Sequence, residues 1–380
     1  VRILLMEDVP VVRLGGADKG VLFRDASTSG DIAMLSPDEA WDAVRFSEKA
    51  QLRVAMPDGR VSRDHPSGVY AEAPGGGPVT VNGKAYRGRI YIYTMSNGNL
   101  RAINVLPLEQ YLRSVVPVEI GTLDEHYMEA LKAQAVVARS FALAKMQERR
   151  SSPFDMSADT GDQVYLGVAR EARATDRAVE ATRGEVLTYK DRVITAYYHS
   201  TCGGRTADPT EVWGEDFART AGFLGSVEDD GFDKGSRWET WRVKWTRSQL
   251  LDQVRKYLPA TVNMSASQVG EPKDIEVAEH GLSGRNARIK ITTDKRSFEV
   301  RGDQIRRVLR QPDGSMLPST MFSLSMAKEK GEVVVLAEGR GFGHGLGMCQ
   351  WGARMRAEQG QSYRKILEHY YKDIKLEKKY

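Results

Sequence analysis

Residues 122–149, TLDEHYMEALKAQAVVARSFALAKMQER, decide the reading of this chain, because the sequence changes period there. Thr122 followed by Glu125 is a capping-box pattern, in which two side chains satisfy N–H groups at a helix start. Beyond it Leu123, Tyr127, Leu131, Ala135, Ala138, Ala142 and Met146 recur at helical spacing. The spacing predicts a long helix over about 123–149. Many residues of its apolar stripe are alanines, so a second element can approach closely.

Upstream, the first ~85 residues read as short strands broken by turns. Asp58-Gly59 and Asn82-Gly83 are hairpin signals, and PGGGP at 74–78 is a loop. RIYIYTM at 89–95 alternates as a strand does. Downstream, a second helix is expected over 168–182, stopping at Gly184, then a hairpin around Lys190-Asp191. Thr246 and Gln249 form another capping box, and Leu250, Leu251, Val254 and Leu258 share one helix face. Residues 273–338 read as strands with a helical turn near 303–309, and helices near 347–358 and 363–372 follow. Strands and helices are partly segregated, which favours an α+β fold over a doubly wound parallel sheet. At 380 residues a single core is too small, and two or three lobes are expected.

Composition narrows the function classes. Apolar residues are 41% and charged residues 28%, which is globular. Lys plus Arg total 55 against 51 Asp plus Glu, a net charge of +4 that gives no reason to expect a nucleic-acid partner. No apolar run approaches the ~20 residues that span a bilayer. The chain starts at Val1 rather than Met, which is compatible with a removed targeting segment. The motifs H-E-x-x-H, G-x-x-x-x-G-K-[ST] and G-x-S-x-G are absent.

Three segments stand out as carriers of chemistry. In 339–347, GRGFGHGLG, glycine occupies every second position, so an extended chain would have one face without side chains. The spacing does not fit a phosphate-binding G-x-G-x-x-G. In 199–204, HSTCGG, the residues follow an expected strand. In 115–121, VVPVEIG, Glu119 stands between apolar residues in an expected strand-to-helix turn. Burial there would favour its protonated form, and a helix N-terminus its carboxylate. His199 with Cys202, and His344 with Cys349, offer two zinc-type ligands each. A Cys202–Cys349 disulfide and a pair of buried thiols are the alternatives, and the sequence leaves all three open.

Together these segments resemble the SpoIID/LytB family, the stage II sporulation protein D and amidase-enhancer proteins of bacterial cell-wall remodelling. The blocks that carry the resemblance are NVLPLEQYLRSVVPVE at 104–119, LKAQAVVARS at 131–140, YHSTCGGRT at 198–206 and GFGHGLGMCQWGA at 341–353, with YRKILEHYY at 363–371. The resemblance implies lobes around a groove. The expected divisions are a β-rich segment at 1–85, the first part of a catalytic core at 86–245, a β-rich inserted lobe at 246–335, and a glycine-rich motif with helices completing the core at 336–380. It also implies a lytic transglycosylase of peptidoglycan glycan strands with Glu119 as acid and base. The usual Ser, Met and second Pro around that glutamate are Val118, Ile120 and Gly121 here. Tyr198, His199, Ser200, Thr201, Gly203, Gly204, His344, Gln350 and Trp351 are then expected to bind sugar, with the bare glycine face against the glycan. The reaction requires no cofactor. The alternative is a non-catalytic activator of an N-acetylmuramoyl-alanine amidase. Either reading implies an extracytoplasmic protein, exported or membrane-anchored through a segment outside this chain.

Overall fold

Tight turns set the strand register of the first part of the chain. Asn82 and Gly83 take φ of 47° and 78°, the left-handed pair a two-residue hairpin needs, and Val81 pairs with Lys84 across them. Lys190 and Asp191 do the same at 49° and 60°, pairing Tyr189 with Arg192. This computed structural model describes residues 1–16, 20–37, 39–46, 51–56, 58–229, 231–329 and 331–380. Two units result, Val1–Thr195 with Leu376–Tyr380, and Ala196–Lys375.

In the first unit a seven-stranded sheet runs in the order Met156–Ser157, Arg2–Val9, Leu100–Val105, Arg89–Thr94, Val69–Glu72, Val21–Asp25, Asp31–Leu35. The pairing of Arg2–Val9 with Met156–Ser157 is parallel, and the others are antiparallel. A five-stranded sheet has the order Gln51–Ala55, Ala40–Phe46, Val11–Gly16, Val79–Val81, Lys84–Tyr86. Period-two alternation buries Val12 and Leu14 on one face of Val11–Gly16.

Among the described residues three α-helices complete this unit: α1 (Leu108–Ile120), α2 (Met128–Glu148) and α3 (Arg173–Ala181), each packed on the other two. Every residue of 133–138 in α2 is fully buried, so the helix is enclosed rather than buried by one stripe. Alanines at 133, 135 and 138 make that close approach possible. The start of α2 differs from expectation. Asp124 accepts from His126 N–H at 2.9 Å and caps the short turn Glu125–Tyr127, and the α-helix begins at Met128. The sequence reading missed α1, because Pro117 lies inside it and lacks the N–H that a helix interior uses.

One buried ion pair fastens α1 to α2. Arg139 is fully buried and donates from Nε to Glu109 Oε1 at 2.9 Å and from Nη2 to Oε2 at 2.8 Å. Its remaining donors reach Val179 O, Glu185 O and Thr182 Oγ1. Glu109 Oε1 also accepts from the Tyr380 hydroxyl at 2.8 Å. The strand Lys375–Lys378 lies beside Glu185–Tyr189 in a three-stranded sheet.

The second unit holds two three-stranded antiparallel sheets. One runs Trp241–Thr246, Glu332–Gly339, Phe322–Glu329, and the other Pro272–His280, Asn286–Thr293, Ser297–Arg301. The helix Arg247–Thr261 starts with the expected Thr246–Gln249 box. Its Leu250, Val254 and Leu258 join Trp245, Ile289, Ile291 and Ile305 in one core. Helices Gln350–Glu358 and Tyr363–Tyr370 follow. Among the described residues no helix is long and apolar enough to cross a membrane.

The mixture is α+β, as expected, but the divisions at 85/86, 245/246 and 335/336 are not those of the structure. Residues 2–9 pair with 100–105, so the first division cuts a sheet. Trp241–Thr246 and Phe322–Glu329 both pair with Glu332–Gly339, so the other two cut another. Residues 336–375 accordingly fall in the second unit.

Candidate functional site

In the first unit Glu119 stands on the last turn of α1, which ends at Gly121 with φ 91°. It is therefore not in a strand-to-helix turn. The helix end beside it is a C-terminus, whose unpaired carbonyls disfavour negative charge, the reverse of the expected N-terminus. The side chain is half-buried, and Oε1 accepts from Val164 N–H at 3.1 Å.

Residues 163–166 lie along the same helix. Leu166 N–H donates to Ser114 Oγ at 3.3 Å, and the Tyr111 hydroxyl donates to Gln163 Oε1 at 3.1 Å. The Tyr165 hydroxyl donates to Asn104 Oδ1 at 2.7 Å. Burial first, and then the charge of Glu119, push the Tyr111 phenol well above its ordinary range, so it stays a neutral donor. The sequence reading missed this supporting segment, which carries no motif and follows a turn at 159–162.

In the second unit the two other segments meet. Tyr198–His199 pairs in parallel with Met348–Cys349, and Thr201 bridges Phe342 antiparallel. The alternating glycines do not make an extended strand with an open face. Gly341, Gly343, Gly345 and Gly347 take φ of 78°, 108°, 87° and 68°. A Cβ would lie 2.7 Å from Thr201 O at Gly341, 2.9 Å from His199 Cβ at Gly343, 2.8 Å from the Arg285 guanidinium at Gly345, and 1.9 Å from Tyr197 O at Gly347. The bare positions are filled by the protein's own atoms, which corrects the expectation of a glycan lying there. At Gly203 (φ 80°) a Cβ would meet Met321 Sδ at 2.7 Å, and Gly204 also has positive φ.

This packing predicts the cost of one methyl group. Gly347→Ala meets both a left-handed φ and a backbone carbonyl, whereas Gly284→Ala, at φ 81°, has nothing within 4 Å. The second variant should lose ~1 kcal/mol from backbone strain alone. The first should lose at least ~2 kcal/mol more, since packed backbone yields poorly. Urea unfolding of both variants checks this, and equal losses would show that the close approach is unimportant.

The remaining expected binding residues are placed as follows. Thr201 is buried with its hydroxyl on Ser236 Oγ at 3.1 Å. Ser200 and Tyr198 are half-buried, and Gln350 is buried at the start of its helix. Trp351 is half-buried, donates from Nε1 to Lys234 O at 3.1 Å and carries the Arg354 guanidinium 4.4 Å above its ring. His344 Nδ1 accepts from Leu346 N–H at 3.0 Å, and its ring also bonds the Tyr198 backbone. Burial holds its pKa down to about 4, so the ring is neutral at physiological pH.

Three of the four expected metal ligands converge. The ligand atoms of His199, Cys202 and Cys349 lie within 4.8 Å of one another, all buried. His344 is outside that group, because its ring nitrogens are engaged by backbone. Both cysteines are free thiols rather than a disulfide. Burial raises the Cys349 thiol.

Two carboxylates absent from the sequence reading border the thiols. Asp229 Oδ2 and Asp233 Oδ2 are each 3.5 Å from Cys202 Sγ. Asp229 is held by Arg356 Nη2 and the Tyr370 hydroxyl, both at 2.6 Å. Burial pushes Asp229 up, but bonds from His369, Tyr370 and Arg356 outweigh it and leave its pKa lowered. Burial raises Asp233, against a bond from Gly204 N–H. Arg285, which no motif of the sequence singled out, is fully buried and donates to Cys202 O and to Arg205 O.

The family model described as stage II sporulation protein matches residues 96–189, the range that holds Glu109, Glu119, Arg139 and Val164. An uncharacterized protein of Brachyspira hyodysenteriae is 30% identical over 311 residues, 81% of this chain and 76% of that protein. The chain belongs to the SpoIID/LytB family. Among the SpoIID/LytB proteins of Bacillus subtilis, stage II sporulation protein D is 26% identical over 76% of this chain and 78% of its own length. The amidase enhancer is 29% identical over 68% of this chain, which spans 39% of that longer protein. A second family model, described as a domain of unknown function, matches 216–347. His199, Cys202 and Cys349 lie outside both matched ranges.

Proposed function

We propose that the chain is a lytic transglycosylase that cleaves the MurNAc–GlcNAc bond of peptide-stripped peptidoglycan strands outside the cytoplasm. The observation that carries the reading is the placement of Glu119: half-buried, on the end of a helix fastened by a buried ion pair, and bonded through one oxygen to Val164 N–H. A glycosidase that uses water generally needs two carboxyl groups, one acid and one nucleophile or base. Ring closure needs one. The Glu119 carboxylic acid protonates the oxygen leaving with GlcNAc. The resulting carboxylate takes the proton from the MurNAc 6-hydroxyl as that oxygen attacks C1, and the acid is restored. The products are a GlcNAc end and a 1,6-anhydro-MurNAc end, with no net proton or water consumed.

The test is direct. Peptide-free glycan strands incubated with the protein should yield 1,6-anhydro-MurNAc ends detectable by mass spectrometry. A second reading rests on the relative named amidase enhancer, at 29% identity. Under it the strands stay intact and a cell-wall amidase is accelerated on mixing. Intact strands with an accelerated amidase would replace the first reading by the second.

A further inference from the structure

The thiol cluster of the second unit has a use that the Glu119 reading does not require. We infer that His199, Cys202 and Cys349 form a zinc site that ties separate segments of the second unit together, with the Asp233 carboxylate beside both thiols as its fourth ligand.

The argument begins with His199. It is 4% exposed, and its Nδ1 lies 3.0 Å from Leu346 O. A carbonyl only accepts, so Nδ1 carries the proton and Nε2 presents a lone pair. That Nε2 is buried and has no hydrogen-bond partner. An unmet acceptor of this kind normally costs stability. One ring nitrogen of His199 has both thiol sulfurs within 4.8 Å, and Nε2 is the one left to coordinate, since Nδ1 faces Leu346 O.

The fourth position follows from bond lengths. Zn–S of ~2.3 Å and Zn–O of ~2.1 Å at tetrahedral angles give an S···O edge of ~3.6 Å. Asp233 Oδ1 is 3.6 Å from Cys202 Sγ and 3.8 Å from Cys349 Sγ. The other oxygen, Oδ2, accepts from Gly204 N–H, which leaves Oδ1 for a metal.

The groups around the ligands are those that orient zinc ligands elsewhere. The His199 Nδ1–H on a carbonyl fixes the tautomer. Gly352 N–H donates to Cys349 Sγ at 3.3 Å at the start of helix Gln350–Glu358, which favours a thiolate. Asp229 is not free to bind, because Arg356 and Tyr370 hold it. Charge balances as well. Two thiols become thiolates as Zn²⁺ arrives, so two protons leave and the local charge is unchanged.

Three ligand atoms already converge, and with Asp233 as the fourth no position would stay open, which makes the site structural rather than catalytic. It ties the segment at 199–202 to the turn that holds Asp233 and to the start of the helix at 350. It stands whether or not Glu119 proves catalytic.

Metal analysis of the whole chain, purified without chelator or reductant, tests the inference. About one zinc per chain is expected, falling below about 0.1 in Cys202→Ser and in His199→Gln. Wild-type protein supplies readings that need no variant. Thiol reagent should react at least about tenfold faster after a strong chelator is added, and the melting temperature should fall. Cobalt(II) in place of zinc should give the visible absorption of a tetrahedral thiolate site. Two metal-free thiols, or a mass two hydrogens light from a Cys202–Cys349 disulfide, would overturn it.

Discussion

Glu119→Gln is expected to slow the formation of 1,6-anhydro ends by about 10²- to 10⁴-fold, the range a positioned general acid–base contributes. The upper part of that range is the better estimate, because one carboxyl serves both proton transfers. Glutamine has the same shape and keeps an oxygen to accept from Val164 N–H, so the contact at 3.1 Å survives. The fold should survive with it, because the ion pair that fastens α1 lies at the other end of that helix. Initial rates on peptide-free strands, with thermal melts of both proteins, give the answer. A variant within about twofold of wild type would remove Glu119 from the chemistry.

Arg139→Met should destabilise the first unit by about 3–5 kcal/mol, because it leaves the buried Glu109 carboxylate without its partner. Glu109 would keep Tyr380 and the Gly184 N–H, which cannot replace a positive charge. The double variant Glu109→Gln with Arg139→Met should recover part of the loss, since a buried pair replaced on both sides costs far less than one broken. Urea unfolding of the three proteins measures both terms. A loss below about 1 kcal/mol in the single variant would mean that water or a rearranged side chain reaches Glu109. The single variant should also lose activity, since Glu109 and Glu119 ride on the same helix.

What the sequence revealed, it revealed locally. The Asn82-Gly83 and Lys190-Asp191 turns and the Thr246–Gln249 cap were legible because their chemistry closes within four residues. Helix α1 was hidden by Pro117, although Tyr111, Leu112, Val115 and Val116 are buried at helical spacing. The glycines of 339–347 were visible as a pattern, but not their φ values, which depend on what packs above each one. The partners of the thiols were illegible for a different reason. Asp229, Asp233 and Arg285 reach Cys202 from 27 to 83 residues away, and Cys349 joins them through the pairing of Tyr198–His199 with Met348–Cys349, some 150 residues apart. No window of neighbouring residues contains that contact.

The return of residues 376–380 to the first unit bears on how the protein matures. The second unit is an insertion within the first, so the hairpin at 185–193 waits for its third strand until all of 196–375 has been made. Tyr380, which bonds Glu109 on the helix that carries Glu119, is made only after the whole second unit. A chain threaded N-terminus first through a membrane would therefore deliver its proposed acid before the segment that finishes that acid's support. Such an order leaves the support of α1 incomplete until residues 376–380 have also crossed.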